Sequence, residues 1–291
     1  MEGEEQASML RAGRPLNNHE AWHLMVAVPY HGAMPTRPLL IVCDDAGHPS
    51  VDRGIRELAD RTRLPLSAEV MVEQPGAIAS VQTHLADHPQ ISLGLHVELA
   101  GISDAKRCAL SHELATQGSC LAEQPWVQAQ AALDAARQLE IFREAFGRDP
   151  AHVSTHGNFN VRQKTDVCPW WHALMDELFN GQPPPQQVVL PVVRHNLYSW
   201  NLPGTAREPL DALQFQAALK ALPHAAAEFV LHPARPQPED PALDMLFDAA
   251  MRVRDLEAGV IILTSGAIEA AGWTVCAVTD LRPPAGRASE R

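Results

Sequence analysis

From residue 38 onward, short apolar runs alternate with longer stretches in which apolar positions return every three or four residues. The short runs predict strands over 38–43, 66–72, 91–96, 151–156, 187–193, 227–232 and 260–264. The longer stretches predict helices over 50–62, 75–87, 125–146, 167–180, 209–222, 241–258 and 265–271. Strand followed by helix, repeated in this way, is the pattern of a parallel sheet with helical crossovers. No segment recurs at a fixed length, which excludes a solenoid. The stretch 125–146 shows the logic: Pro125 suits a first helical turn, while Ala129, Ala132, Leu133, Ala136, Leu139 and Phe142 recur at near-helical spacing. Gly147 and Pro150 then supply the stop.

Residues 1–36 show no sustained period and read as a poorly packed extension; Met34, just before Pro35-Thr36-Arg37-Pro38, could be the natural start. Residues 283–291 read as a tail, which leaves 37–282 as a single α/β domain. Two long connections, 97–124 and 194–208, read as loops on the rim of a site. No G-x-G-x-x-G follows the first strand, so dinucleotide binding is disfavoured. An irregular (β/α) barrel of about seven parallel strands is the expected architecture, because the candidate chemistry falls at the C-terminal ends of strands.

Composition narrows the partners. The net charge of −12 comes without a Lys/Arg cluster, which argues against nucleic acid and anionic membranes and points to neutral or cationic ligands. No apolar run is long enough to span a bilayer, and the acidic start Met1-Glu2-Gly3-Glu4-Glu5 is unlike a signal peptide, so a cytoplasmic location is expected. The five cysteines are scattered and form no C-x-x-C pair, which disfavours a disulfide framework or a zinc ribbon. Cys43, inside an apolar run, reads as a core residue.

Four strand ends carry the groups that matter: Asp44-Asp45 after Cys43, His96 after Gly94-Leu95, His156 after Ser154-Thr155, and His232 before Pro233. Singly, each has an ordinary explanation: an aspartate that caps a turn, or a histidine satisfied at a rim. Together, one carboxylate and two imidazoles are a common way to hold a divalent metal. The remaining Asp and His are what a hydrolase needs to activate water and protonate a leaving group.

These segments resemble the YdjC-like carbohydrate deacetylases, also called the ChbG/HpnK family. Cys43-Asp44-Asp45-Ala46-Gly47 is similar to that family's Ala-Asp-Asp-Phe-Gly, and Asp52-Arg53-Gly54-Ile55 to its Asn-x-Gly-Ile. Gly94-Leu95-His96-Val97-Glu98-Leu99-Ala100-Gly101 is similar to Gly-Leu-His-x-x-Leu-x-Gly, and Phe146 to His152 to Phe-Gly-x-x-Pro-x-His. His232-Pro233 and Arg252-x-x-Asp255-Leu256 resemble its His-Pro and Arg-x-x-Glu-Leu, so the likeness runs from Leu39 to about Ile262. The resemblance implies a distorted (β/α) barrel, one divalent metal (Zn, Mn, Co or Mg) and hydrolysis of an N-acetyl group on an amino sugar or small glycoconjugate; a homodimer is common in the family. It further implies Asp45, His96 and His156 as metal ligands, Asp44 as general base and His232 as general acid.

The histidine motif is divergent. Where the family has Asp-Ser-His-x-His-x-His, this chain has Ser154-Thr155-His156-Gly157-Asn158-Phe159-Asn160, and Ala46 replaces the signature Phe. These changes leave open a non-sugar amide or ester substrate handled by the same machinery, or a binding protein that has lost turnover. Trp170, Trp171, Tyr198 and Trp200 could stack on a sugar, Arg194 could bind substrate, and His48 reads as a solvated turn residue.

Overall fold

Six parallel strands lie in the order β4-β3-β2-β1-β8-β7 in a computed structural model that describes residues 37–102, 104–116, 119–163, 166–181, 192–193, 211–222, 226–237 and 249–281. The central strand β1 (Arg37–Ala46) pairs with β2 (Leu66–Val70) and β8 (Ala227–Leu231); β3 (Ile91–Val97) and β4 (Val153–Thr155) follow beyond β2, and β7 (Val192–Val193) beyond β8. Leu39 pairs with Ala227 of β8 on one edge and with Val275 of a short strand β9 (Trp273–Val275) on the other. A small antiparallel pair, β5 (Val161–Gln163) and β6 (Asp166–Val167), lies apart from this sheet. The result is a curled, half-barrel arrangement of parallel strands.

The helices are α1 (Pro49–Thr62), α2 (Ala77–His84), α3 (Asp104–Thr116), α4 (Pro125–Phe146), α5 (Pro169–Leu178), α6 (Ala212–Ala221), α7 (Ala249–Thr264) and α8 (Ala267–Ala270). Strand alternation sorts the side chains into two sets. Leu39, Ile41 and Cys43, Leu66, Ala68 and Val70, Leu93, Leu95 and Val97, and Ala227, Phe229 and Leu231 share one core with the helix residues Val51, Ile55, Leu58, Val127, Leu139 and Phe142. On the inner face, Leu40 and Val42 pack with Cys276 and Val278, so the segment after β9 closes the base of the half-barrel.

Two expectations are corrected. Residues 260–264 are the last turns of α7 rather than a strand: Ile262 is buried while its neighbour Ile261 is 60% exposed. A short apolar run cannot by itself distinguish a buried strand from a helix end. The strand of this region is β9, three residues long. The connection 97–124 is not all loop, because it contains α3, whose Leu110 and Leu114 lie one turn apart against the core. The 194–208 loop, with Arg194, Tyr198 and Trp200, lies outside the described residues, as do 187–191 of the predicted fifth strand and 241–248 of the predicted helix.

Candidate metal centre and acid–base pair

Strand parity places Asp44 on the inner face, in line with Leu40 and Val42. Parity alone would send Asp45 to the helix side with Cys43. Instead its backbone turns into the left-handed region (φ 63°) at a register break between Cys43 and Ala46, and both carboxylates reach one pocket. A buried Asp52 holds this turn from α1: its Oδ1 accepts from Gly47 N–H at 2.8 Å, and its other oxygen accepts from the Ser80 hydroxyl. The β8 end is fixed as well. His232 N–H donates to Asp255 Oδ2 at 2.9 Å, and the following residues pass so close to α1 that a Cβ on Gly54 would lie 2.5 Å from the Ala234 backbone. Only glycine lets the two segments meet there.

Three donor atoms converge. Asp45 Oδ1 lies 3.1 Å from His156 Nδ1 and 3.4 Å from His96 Nε2, and the two ring nitrogens are 3.3 Å apart. Ligand atoms about 2.1 Å from a shared ion sit roughly 3.0 Å apart in octahedral and 3.4 Å in tetrahedral coordination, so the spacing suits one divalent cation. The other Asp45 oxygen accepts from Arg252 Nη2 at 2.6 Å, which orients the carboxylate. Electrostatics agree with the spacing. Burial disfavours charge on His96, yet the surrounding Asp44, Asp45 and Glu69 raise its pKa well above the ordinary imidazole value. The pocket therefore draws positive charge, as a cation site must. Burial acts against ionised Asp45 too, but Arg252 and the two imidazoles outweigh it and hold its carboxyl well below the usual range.

Asp44 and His232 form a second pair, with Asp44 Oδ2 3.5 Å from His232 Nε2. Their environments push them in opposite directions. Burial, then the Glu69 carboxylate, raise Asp44 well above the ordinary aspartate value. Burial lowers His232 to about 3, with Arg252, His96 and His156 pushing the same way against Asp45.

The structure thus brings together all five residues singled out in the sequence, Asp44, Asp45, His96, His156 and His232. It adds Glu69 on β2, whose Oε2 lies 3.0 Å from His96 Nδ1 and whose Oε1 lies 2.9 Å from His152 Nε2. Its signal was a lone charge within an otherwise uncharged strand, since a buried carboxylate requires a partner. Among the described residues, a second group of potential ligands, Asp44, Glu69 and His96, also lies within 4.8 Å, on the opposite edge of the His96 ring. Other candidates have structural roles. His48 caps α1, its Nδ1 accepting from Ser50 N–H at 3.2 Å, and so is not merely a solvated turn residue. Trp171 is fully buried and Trp170 donates its indole N–H to Ala122 O, so this pair anchors α5 instead of presenting a sugar platform. Asn160 is buried and accepts from the Thr155 hydroxyl at 2.6 Å, tied into the fold where the family motif has a histidine.

An inner-face cluster of carboxylates and imidazoles at the C-terminal ends of parallel strands defines the class: an α/β protein with a candidate metal centre. Residues 38–268 match the family model of the YdjC-like proteins. The chain belongs to this family, the carbohydrate deacetylase family that its motifs resemble. No curated protein matches it. A structure from Enterococcus faecalis V583, described as that of a candidate cellobiose-phosphate cleavage protein, is similar in fold. Its TM-score is 0.61 at 17% identity, over 85% of this chain and 100% of that one. A Streptococcus mutans CE4 esterase (TM-score 0.46, 11% identity, 89% and 90% covered) is more distant. So is a family 4 acetyl xylan esterase from Clostridium thermocellum, solved with a cobalt ion (0.44, 15%, 84% and 90%). Among the described residues, no helix is long and apolar enough to cross a membrane.

Proposed function

We propose that this chain is a metal-dependent hydrolase of an N-acyl bond that deacetylates an amino sugar or small glycoconjugate. The observation that carries the reading is the triangle of Asp45 Oδ1, His96 Nε2 and His156 Nδ1, with edges of 3.1 to 3.4 Å. These three residues would hold one divalent ion, which when bound would lower the pKa of a water and polarise the acyl oxygen. Asp44 is the general base: its carboxylate lies within 4.8 Å of a His96 ring nitrogen, and a cation bound beside it would keep it ionised. His232 is the general acid: its Nε2 lies 3.5 Å from Asp44 Oδ2, in the same pocket, where an imidazolium would protonate the departing nitrogen. The curled sheet also supports completion as an irregular (β/α) barrel of about seven strands, with the site at its C-terminal mouth.

Purified protein is to be assayed for bound divalent metal and, with added Zn²⁺, Mn²⁺, Co²⁺ or Mg²⁺, for acetate released from N-acetylated chitobiose-like substrates. Stoichiometric metal and acetate release are expected. Absence of both overturns the reading, while release of a different acid from a panel of amides and esters keeps the machinery and changes the substrate.

A further inference from the structure

We propose that Glu69 is the positioning carboxylate of this site, fixing His96 so that its Nε2 faces Asp45 and His156. The inference rests on the metal reading above and extends it to a residue outside the motifs. Glu69 is only 2% exposed, one residue from the C-terminal end of β2 and on its inner face. A carboxylate in such a place is costly unless strongly partnered. Two imidazoles offset its charge, with the Asp44 carboxyl close beside it. His96 Nδ1 approaches Oε2 at 3.0 Å and His152 Nε2 approaches Oε1 at 2.9 Å. Strand register makes this possible. Glu69 pairs with Gly94, and a Cβ at Gly94 would come within 2.2 Å of the His152 ring. The missing side chain gives His152 room to reach across to Glu69 from beside β4.

The consequence falls on the tautomer of His96. A proton held at Nδ1 between Glu69 and the Ser154 hydroxyl, 2.5 Å from the ring nitrogen, leaves the Nε2 lone pair for a metal. A negative partner also makes that nitrogen a better donor. Ser154 stands where the family motif has aspartate, and it pairs in register with His96. In this chain the carboxylate that supports the ligand histidine therefore comes from β2 and not from β4.

The test is Co²⁺ titration of the folded protein, read by visible absorption and by bound stoichiometry. Glu69→Gln keeps the shape and removes the charge, and it should weaken Co²⁺ binding about 10–100-fold. Glu69→Ser should weaken it at least as much, and adding Ser154→Asp to Glu69→Ser should restore most of the loss, a rescue that a merely structural role would not give. Circular dichroism establishes folding; if Glu69→Ser does not fold, Glu69→Gln alone decides. Native-like affinity in Glu69→Gln overturns the proposal. So does a native stoichiometry of two ions that falls to one in Glu69→Gln, because Glu69 would then be a ligand itself. A native protein that takes up no Co²⁺ defeats the metal reading, whereas native binding indifferent to Glu69→Gln defeats only this inference.

Discussion

The outer face of the sheet carries Leu66, Ala68, Val70, Leu93, Leu95, Ala227, Phe229 and Leu231, all in one core with the helices; the inner face of the same strands carries Glu69, His96, Ser154 and, just past the strand ends, His156 and His232. One backbone serves both because alternation separates the two sets by a single residue. The outer set is stabilised by removal from water and is indifferent to charge. The inner set is stabilised only collectively, since buried Glu69 and half-buried Asp45 each depend on imidazoles or a guanidinium within hydrogen-bond distance. The outer face accordingly holds the fold and the inner face holds charge in position.

Substitutions on the two faces should separate these roles. The largest effect is expected on the inner face. His96→Ala should abolish metal binding and turnover, while Asp44→Asn should lower turnover by about 10²–10⁴-fold yet retain the metal. Metal analysis beside rate measurement checks this, and equal metal loss in both variants would undo the division of roles between Asp44 and Asp45. On the outer face, Phe229→Ala should cost about 3–5 kcal/mol in denaturant unfolding. Its metal affinity should be unchanged wherever the protein remains folded, and a parallel loss of metal affinity would break the separation.

A third effect lies at the junction of the faces. Burial raises Asp52 from the ordinary 3.8 to about 7, against the hydrogen bonds from Ser80 and Gly47. The folded carboxyl keeps its proton over a range in which the unfolded one has released it. Folding therefore takes up a proton between about pH 4 and pH 7, and stability should fall as pH rises through that window, by on the order of a few kcal/mol. Asp52→Asn, which removes the titration but can still accept from Gly47 N–H, should flatten this slope in unfolding measured across pH. The smallest expected effect is His48→Ala, which removes the α1 cap and should cost about 0.5–1 kcal/mol in thermal melts while leaving metal affinity unaltered.

Much of this was legible in the sequence, for identifiable reasons. The helix 125–146 was readable to the residue because Pro125 and Gly147 mark its ends. The four strand ends bearing Asp44-Asp45, His96, His156 and His232 were readable because chemistry and apolar runs met at each of them. Residues 260–264 were misread because five consecutive apolar or β-branched residues suit a strand as well as a buried helix end, and only tertiary packing decides. The turn that brings Asp45 to the pocket depends on one left-handed residue that is not glycine, which no local pattern announces. Glu69 and Arg252 belong to the site through contacts 27 and 207 residues away in the chain, distances over which single-sequence periodicity carries no information.

The most direct test of the central claim is anomalous X-ray diffraction from crystals of this protein grown with Co²⁺ or Zn²⁺. The account predicts one strong peak per chain, bonded to Asp45 Oδ1, His96 Nε2 and His156 Nδ1, with Asp44 and His232 beside it and not bound. An ion held elsewhere, or these three side chains diverging with no peak between them, would contradict it.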